Sequence, residues 1–369
     1  MMAAKYCLFL LTYLLLACNT PDELLADKSE SLPGRKYFPP VGSTDWLTTT
    51  PDKLGWDQTK LDELYSLLDK NGTRAFIILK GGKIVVEEYF GRDLLKIRKF
   101  DKDKQWYWAS AGKTLTAFMV GMAQEEGFLK IDDKTSDYLG NGWTSLPRNK
   151  EDLITVRHQL TMTSGLDDSD RSSTGFAPED LTYKADAGTR WAYHNGPYTL
   201  LEKVVSAATN KSFDTYFDQK LAQKIGMDGS WRWVGNFHLY FSTARSMARF
   251  GLLMLNNGNW DGQPVLRDSL FLQQMMSPSQ GLNESYGYLW WLNGKESFML
   301  PQSQLVFKGS IIPNAPTDMV MGLGKNGQYV CVIPSLDMVM VRMGENPENS
   351  DIAALFLRTI WEKLNQAIP

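Results

Sequence analysis

The sequence predicts an α+β fold: an antiparallel sheet completed by the two ends of the chain, flanked by helices, with a helical lobe inserted between them. Three observations predict it. Two β-rich runs, Arg74 to Lys80 and Lys83 to Tyr89, follow an early amphipathic helix and meet at Gly81-Gly82. Strand-like runs then stop until late in the chain, where several return in succession before a closing helix. Between them lies a long stretch whose apolar residues recur mostly at helical spacing. Strands that bracket a helical middle are most simply joined in one sheet, with the middle standing apart as a lobe.

The composition suits a large folded domain. Hydrophobic residues make up 43% of 369 and charged residues 22%, with 12 Trp, 15 Tyr and 17 Phe available for core and pocket walls. Lys and Arg number 39 against 42 Asp and Glu. A net charge of −3 lacks the basic excess that phosphate binding needs, so nucleic acid is excluded as the main partner.

Taken in order, the first element is not part of the fold. Lys5 precedes an apolar run from Tyr6 to Ala17, too short to span a bilayer and the right length for the core of a signal peptide. The run ends Leu15-Leu16-Ala17-Cys18, which resembles the lipobox of bacterial lipoproteins. On that reading residues 1–17 are removed and Cys18 is acylated. Asn19 in the next position favours the outer membrane, facing the periplasm or the cell surface. Residues 18–54 are polar and carry Pro21, Pro33, Pro39, Pro40 and Pro51, the composition of a tether. Cys331, alone in the run Tyr329 to Ile333, is expected to be a buried free thiol.

The folded domain is expected from residue 55 to 369. Leu61, Leu64, Leu67 and Leu68 give an amphipathic helix ending near Asn71-Gly72, and the Gly81-Gly82 hairpin follows. A long helix is expected from Ser110 to Glu126, stopped by Gly127. Helices at about 154–163, 197–209, 213–225 and 243–256 follow, within or beside a lobe placed at roughly 128–280. Strands are expected at about 286–293, 304–308, 318–323, 328–333 and 337–343. The last helix, 351–366, carries Leu357, Ile360, Trp361 and Leu364 along one face.

Three short motifs carry chemistry. In Ser110-Ala111-Gly112-Lys113 the serine and lysine lie three apart, on one face of a helix, so the amine reaches the hydroxyl. A serine is a weak nucleophile until a neighbouring base takes its proton, and a buried lysine can be that base. Free N–H groups at a helix start also stabilise developing negative charge. Tyr193-His194-Asn195 enters a helical run through Gly196-Pro197; a tyrosine hydroxyl shuttles protons and an asparagine contacts a substrate amide. Lys325-Asn326-Gly327 stands between two strand-like runs, where Lys325 supplies positive charge and Gly327 lets substrate approach the backbone. Each motif has a structural explanation too. One Ser-x-x-Lys arises by chance in about this length, Asn195-Gly196-Pro197 reads as a turn, and Asn-Gly is the commonest short hairpin turn.

Together, separated by 83 and then 132 residues, the three motifs resemble those of the penicillin-recognising serine hydrolases: class C β-lactamases, DD-peptidases and related esterases and amide hydrolases. That family's signatures are Ser-x-x-Lys, Tyr-x-Asn and Lys-Thr-Gly. The resemblance covers residues 55 to 366 and extends to Leu160 to Leu166, Thr243 to Gly251 and Val332 to Asp337. It implies the family's α/β sandwich with a helical lobe and an acyl-enzyme on Ser110. Lys113 and Tyr193 then form the proton-transfer pair, and Asn195, Lys325 and Gly327 contact substrate. The backbone N–H groups of Ser110 and Gln328 form the oxyanion hole. It implies no cofactor and no metal, and His158, His194 and His238 form no recognisable ligand cluster. Asn326 departs from the family's threonine, which favours a small ester, short amide or peptide as substrate over efficient turnover of a β-lactam. A β-lactamase, a DD-peptidase or a non-catalytic module holding cell-wall fragments is the alternative. An inward-facing His194 or His238 would tune the pocket.

Overall fold

The computed structural model describes residues 36–169, 174–347 and 353–369. The signal run, Cys18 and the first half of the expected tether lie outside them. α1 (Gln58–Lys70) starts at Asp57, whose carboxylate accepts the Lys60 N–H at 3.1 Å, and it buries Leu61, Leu64 and Leu68. β1 (Thr73–Lys80) and β2 (Lys83–Tyr89) form the hairpin over Gly81-Gly82, both at positive φ.

β1 pairs on its other edge with a strand from the far end of the chain. In the antiparallel ladder Ile77 faces Val341 and Ile78 faces Met340 of β11 (Met338–Gly344). β10 (Gln328–Ile333), β9 (Val320–Gly324) and the short β6 (Trp291–Leu292) complete a six-stranded sheet of order β2-β1-β11-β10-β9-β6. The two chain ends do close one sheet, as the order of elements predicts. α1 packs with the last helix, α7 (Ala353–Ala367), on one side, and α6 (Ala244–Leu255) lies against β1, β10 and β11 on the other. Burial on both sides explains why these strands read as continuous apolar runs rather than alternating ones. Cys331 is free and buried among them, its thiol pushed up by burial.

The structure departs from the sequence reading in three respects, beginning with the middle of the chain. Helices do dominate it: α2 (Lys113–Glu125), α3 (Val156–Leu160), α4 (Asn195–Thr209) and α5 (Phe213–Phe217), the last continuing through a wider π-type turn to Ile225. The lobe is not all-helical, however. β3 (Trp106–Tyr107), β4 (Ser230–Val234) and β5 (Phe237–Ser242) form a three-stranded sheet of order β3-β5-β4. Its hairpin was signalled by two aromatic-rich runs around Gly235-Asn236. The strand expected at 286–293 contracts to β6, and that at 304–308 to β8 (Val306–Lys308), which pairs with β7 (Ser297–Met299).

The third departure concerns the tether. Residues 36–54 lie on the domain: Tyr37 N–H donates to Gly81 O at 2.9 Å, Thr48 bridges Ile84, and the Trp46 indole donates to Gly82 O at 2.8 Å. The Arg249 guanidinium, buried in α6, donates to the carbonyls of Pro40 and Ser43. Prolines without N–H groups still offer carbonyls, so a Pro-rich stretch can be pinned by a buried arginine.

Candidate active site

Ser110 lies in a single 3-10 turn, Ala109–Gly112, that leads into α2 rather than in the helix itself. The turn hangs from the small sheet. Trp108 N–H donates to Tyr240 O at 2.9 Å and the Trp108 indole to Ser242 Oγ at 2.7 Å. Ala109 takes φ 46°, a left-handed conformation that a non-glycine residue adopts only where its surroundings enforce it. The effect is to hold Ser110, half-buried, at the edge of a cavity of about 550 Å³.

Lys113 follows one turn later and is 3% exposed. Its Nζ stands 3.3 Å from Ser110 Oγ and donates to Asn195 Oδ1 at 2.8 Å. The ring face of Tyr198, 3.9 Å away, closes the amine off from water. Burial brings Lys113 down to about 7, against the pull of the Glu202 carboxylate, which favours its charged form. A lysine of that kind is about half amine at neutral pH, where an ordinary lysine is almost wholly ammonium.

Tyr193 and Asn195 arrive together at the start of α4, where Pro197 sits in the first turn and has no N–H to leave unpaired. The Tyr193 ring is stacked on Trp291, with centroids 5.8 Å apart and planes at 20°, while Tyr286 presses on it edge-on and Trp191 at a tilt. That aromatic box fixes the phenol toward Ser110, with which it hydrogen-bonds, and burial raises Tyr193 well above its ordinary value. It is therefore a neutral phenol, a donor rather than a base.

The third motif lands differently from its expectation. Lys325, Asn326 and Gly327 form the turn between β9 and β10, with Asn326 at φ 64° and Gly327 at φ 73°. The Lys325 residue lines the cavity with Ser110 and Tyr193. Asn326 is turned away from it, its amide donating to Tyr107 OH at 2.8 Å. Gly327 is buried against Arg342, whose guanidinium donates to its carbonyl at 2.7 Å; a Cβ there would stand 2.4 Å from Arg342 Nη1. Its glycine thus serves packing, not substrate approach. Gln328 does not line the cavity either. It is fully buried, and its side-chain amide pairs with Gly344, accepting from the N–H at 2.9 Å and donating to the carbonyl at 2.7 Å.

The residue that the sequence reading missed is Gly324. It ends β9 beside the Ser110 turn, where a Cβ would come within 2.5 Å of Trp108 O and 3.0 Å of Ala111 N. Glycine is what lets a strand end lie against the serine turn, and Gly322-Leu323-Gly324 inside an apolar run was the available signal.

Among the described residues no group of three or more His, Cys, Asp or Glu is placed to bind a metal. His158 Nδ1 accepts the Thr155 N–H at the start of α3. His194 is buried where α4 begins, and neither it nor His238 lines the cavity.

Residues 70–354 match the model of a protein family described as Beta-lactamase. An uncharacterised protein of Alkalihalophilus pseudofirmus is 26% identical over 308 residues, which are 75% of this chain and 84% of that one. Among solved structures, a penicillin-binding protein homologue from Caulobacter crescentus superposes with a TM-score of 0.65 at 14% identity, covering 87% of this chain and 98% of the other. A family VIII carboxylesterase does so with a TM-score of 0.63 at 15% identity, covering 84% and 96%. At such identities the two structures speak for the fold alone.

Proposed function

The chain belongs to the beta-lactamase family, and on that premise we propose that it is a serine hydrolase working through an acyl-enzyme on Ser110. The observation that carries the reading is the buried Lys113 amine 3.3 Å from Ser110 Oγ, held by Asn195 and brought by burial to about 7. The amine takes the Ser110 proton as Oγ bonds to the substrate carbonyl carbon. When the tetrahedral intermediate collapses, the Tyr193 phenol gives its proton to the departing alcohol or amine and regains one from Lys113. Water then repeats the sequence in reverse, releasing the acid and freeing Ser110. The negative oxygen falls to backbone N–H groups, Ser110 from the nucleophile turn and Lys325 from the end of β9.

Trp291, Leu300, Pro301, Ile311 and Leu323 line the cavity beside Gln302, Ser303 and Lys325. An apolar wall of this extent favours a small ester or short amide with an uncharged acyl group. Asn326 is engaged with Tyr107, so the motif offers no side-chain hydroxyl or amide to a β-lactam carboxylate. Membrane attachment through an acylated Cys18 is part of the proposal and is supported by Leu15-Leu16-Ala17-Cys18 in the sequence.

Intact-protein mass spectrometry tests the reading. The protein is incubated separately with a fluorophosphonate, a penicillin and a short-chain activated ester, beside Ser110→Ala. A Ser110-dependent fluorophosphonate adduct with ester turnover, and slow or absent penicillin acylation, is expected. Activity surviving in Ser110→Ala would sink the acyl-enzyme. A long-lived penicillin adduct would indicate a DD-peptidase-like enzyme, and rapid penicillin turnover a β-lactamase. In a bacterial host the full chain is expected in the membrane fraction as a mature form beginning at acylated Cys18; a soluble or unacylated product would refute the anchor.

A further inference from the structure

α4 presents more to Lys113 than Asn195. Tyr198 and Glu202 lie three and seven residues further on and share the face that begins with Asn195. Tyr198 covers the lysine amine with its ring and pairs its hydroxyl with Thr116 Oγ1 at 3.2 Å. One turn beyond, Glu202 is 5% exposed, a carboxylate set in the interior of the lobe. His238 Nδ1 stands 2.6 Å from its Oε2, while Oε1 is buried with no hydrogen-bond partner among the described residues. A carboxylate is costly in such a place unless paired, and here half of it is left unpaired on the helix that serves the catalytic lysine.

His238 connects this group to the surface. Its ring is stacked on Trp233 at 4.6 Å and 15°, and Trp233 is half exposed at the tip of the β4–β5 hairpin. Its Nε2 is 3.8 Å from Asp214 Oδ1 of α5, a largely solvated carboxylate. The charged groups acting on Glu202 are His238 from β5, Asp214 from α5 and Lys113 from α2. From α3 the group turned to α4 is the neutral Gln159 amide, on Pro197 O at 2.7 Å. The neighbours of His238 are Glu202, Asp214 and the rings of Trp231 and Trp233.

We infer that Glu202 and His238 form a positioning pair for Lys113: the buried carboxylate biases the amine toward its ammonium form, and His238 decides whether that carboxylate is charged. The inference rests on the reading of Ser110 as nucleophile and Lys113 as its base. Burial raises Glu202, and the hydrogen bond from His238 opposes this. The imidazole thus favours the charged carboxylate, and without it the carboxylate takes up a proton more readily. The attraction then felt by Lys113 disappears, and the lysine becomes a free amine at lower pH.

The experiment is the rate of fluorophosphonate labelling at Ser110 against pH in the full domain, with circular dichroism confirming the fold at each pH. In Glu202→Gln the acid limb, scaled to its own plateau, moves down by about one pH unit. At a pH below both limbs the scaled rate is then about tenfold higher than in the unmodified protein. His238→Gln moves the limb the same way, and the double variant moves it no further than Glu202→Gln. A pair with a merely structural role would lower the plateau or the melting temperature and leave the limb in place. A limb that stays or moves up in folded Glu202→Gln overturns the inference, as does an opposite shift in His238→Gln, the variant that decides if Glu202→Gln does not fold. Absence of any Ser110 adduct in the unmodified protein would instead refute the acyl-enzyme reading, and this inference with it.

Discussion

Lys113→Met separates what the lysine does for the reaction from what it costs the fold. The amine lies buried and is brought from an ordinary 10.5 to about 7, so across that interval the unfolded chain binds a proton that the folded protein does not. Stability therefore rises with pH from 7 to 10.5, and the penalty is fully present below pH 7. Three and a half units correspond to about 5 kcal/mol at ~1.4 kcal/mol per unit. Methionine fills similar volume without a charge to desolvate, but it forfeits the 2.8 Å bond to Asn195, worth about 1 kcal/mol and more if the amide is stranded. A net gain of about 2–4 kcal/mol is expected at pH 6, or roughly 4 °C for a domain of this size. The assay is thermal and urea unfolding of both proteins from pH 6 to 10, with Ser110 labelling followed in parallel. The variant should be more stable and unreactive at pH 6, and the stability gap should close as pH approaches 10. A variant less stable than its parent at pH 6, or a gap indifferent to pH, would refute the claim that Lys113 is held neutral by burial.

Two backbone positions near Ser110 give sharper tests than further side-chain truncation. Gly324→Val places a branched side chain where even a Cβ would be 2.5 Å from Trp108 O, so it should displace the nucleophile turn, cost about 1–3 kcal/mol and lower kcat/KM by about 100-fold, read by urea unfolding and ester hydrolysis. Lys325→Pro deletes an N–H at the first position of a 3-10 turn, where proline is tolerated and Gly324 before it is already extended (φ −121°, ψ 153°). If that N–H faces the oxyanion, kcat should fall by about 100-fold or more relative to Lys325→Ala, which keeps it; equal rates in the two variants would remove Lys325 from the hole.

What was legible in the sequence is what local chemistry determines. The Gly81-Gly82 hairpin, the long apolar helix after Ser110 and the late strands each carry their signal within a few residues. So do Ser110 and Lys113, whose proximity needs only a helical turn. Tyr193 and Asn195 are joined to Ser110 and Lys113 only by the family resemblance, and the structure brings both to Lys113. The Glu202–His238 pair was not legible, because its members are 36 residues apart on a helix and a strand that meet only through the fold. The packed half of the tether was missed for a similar reason. Its carbonyls accept from Arg249, and its Tyr37 N–H and Trp46 indole donate to carbonyls of the first hairpin, and composition says nothing about such partners.

The Lys325-Asn326-Gly327 triplet shows how a motif can be right in neighbourhood and wrong in register. Read along a strand, it would put Lys325 and Gly327 on the pocket side and give the oxyanion position to Gln328. The ladder pairs Gly324 with Gln328, however, so the three residues between are the turn itself. Gln328 to Ile333 form β10, one strand spacing of about 4.8 Å farther across the sheet than β9. A donor within hydrogen-bond reach of an oxygen bound to Ser110 must therefore come from the end of β9. That end is Gly324, which permits the close approach, followed by Lys325, which lines the cavity. On the proposed acyl-enzyme reading Lys325 acts through its backbone N–H, and the contrast between its proline and alanine variants tests that role.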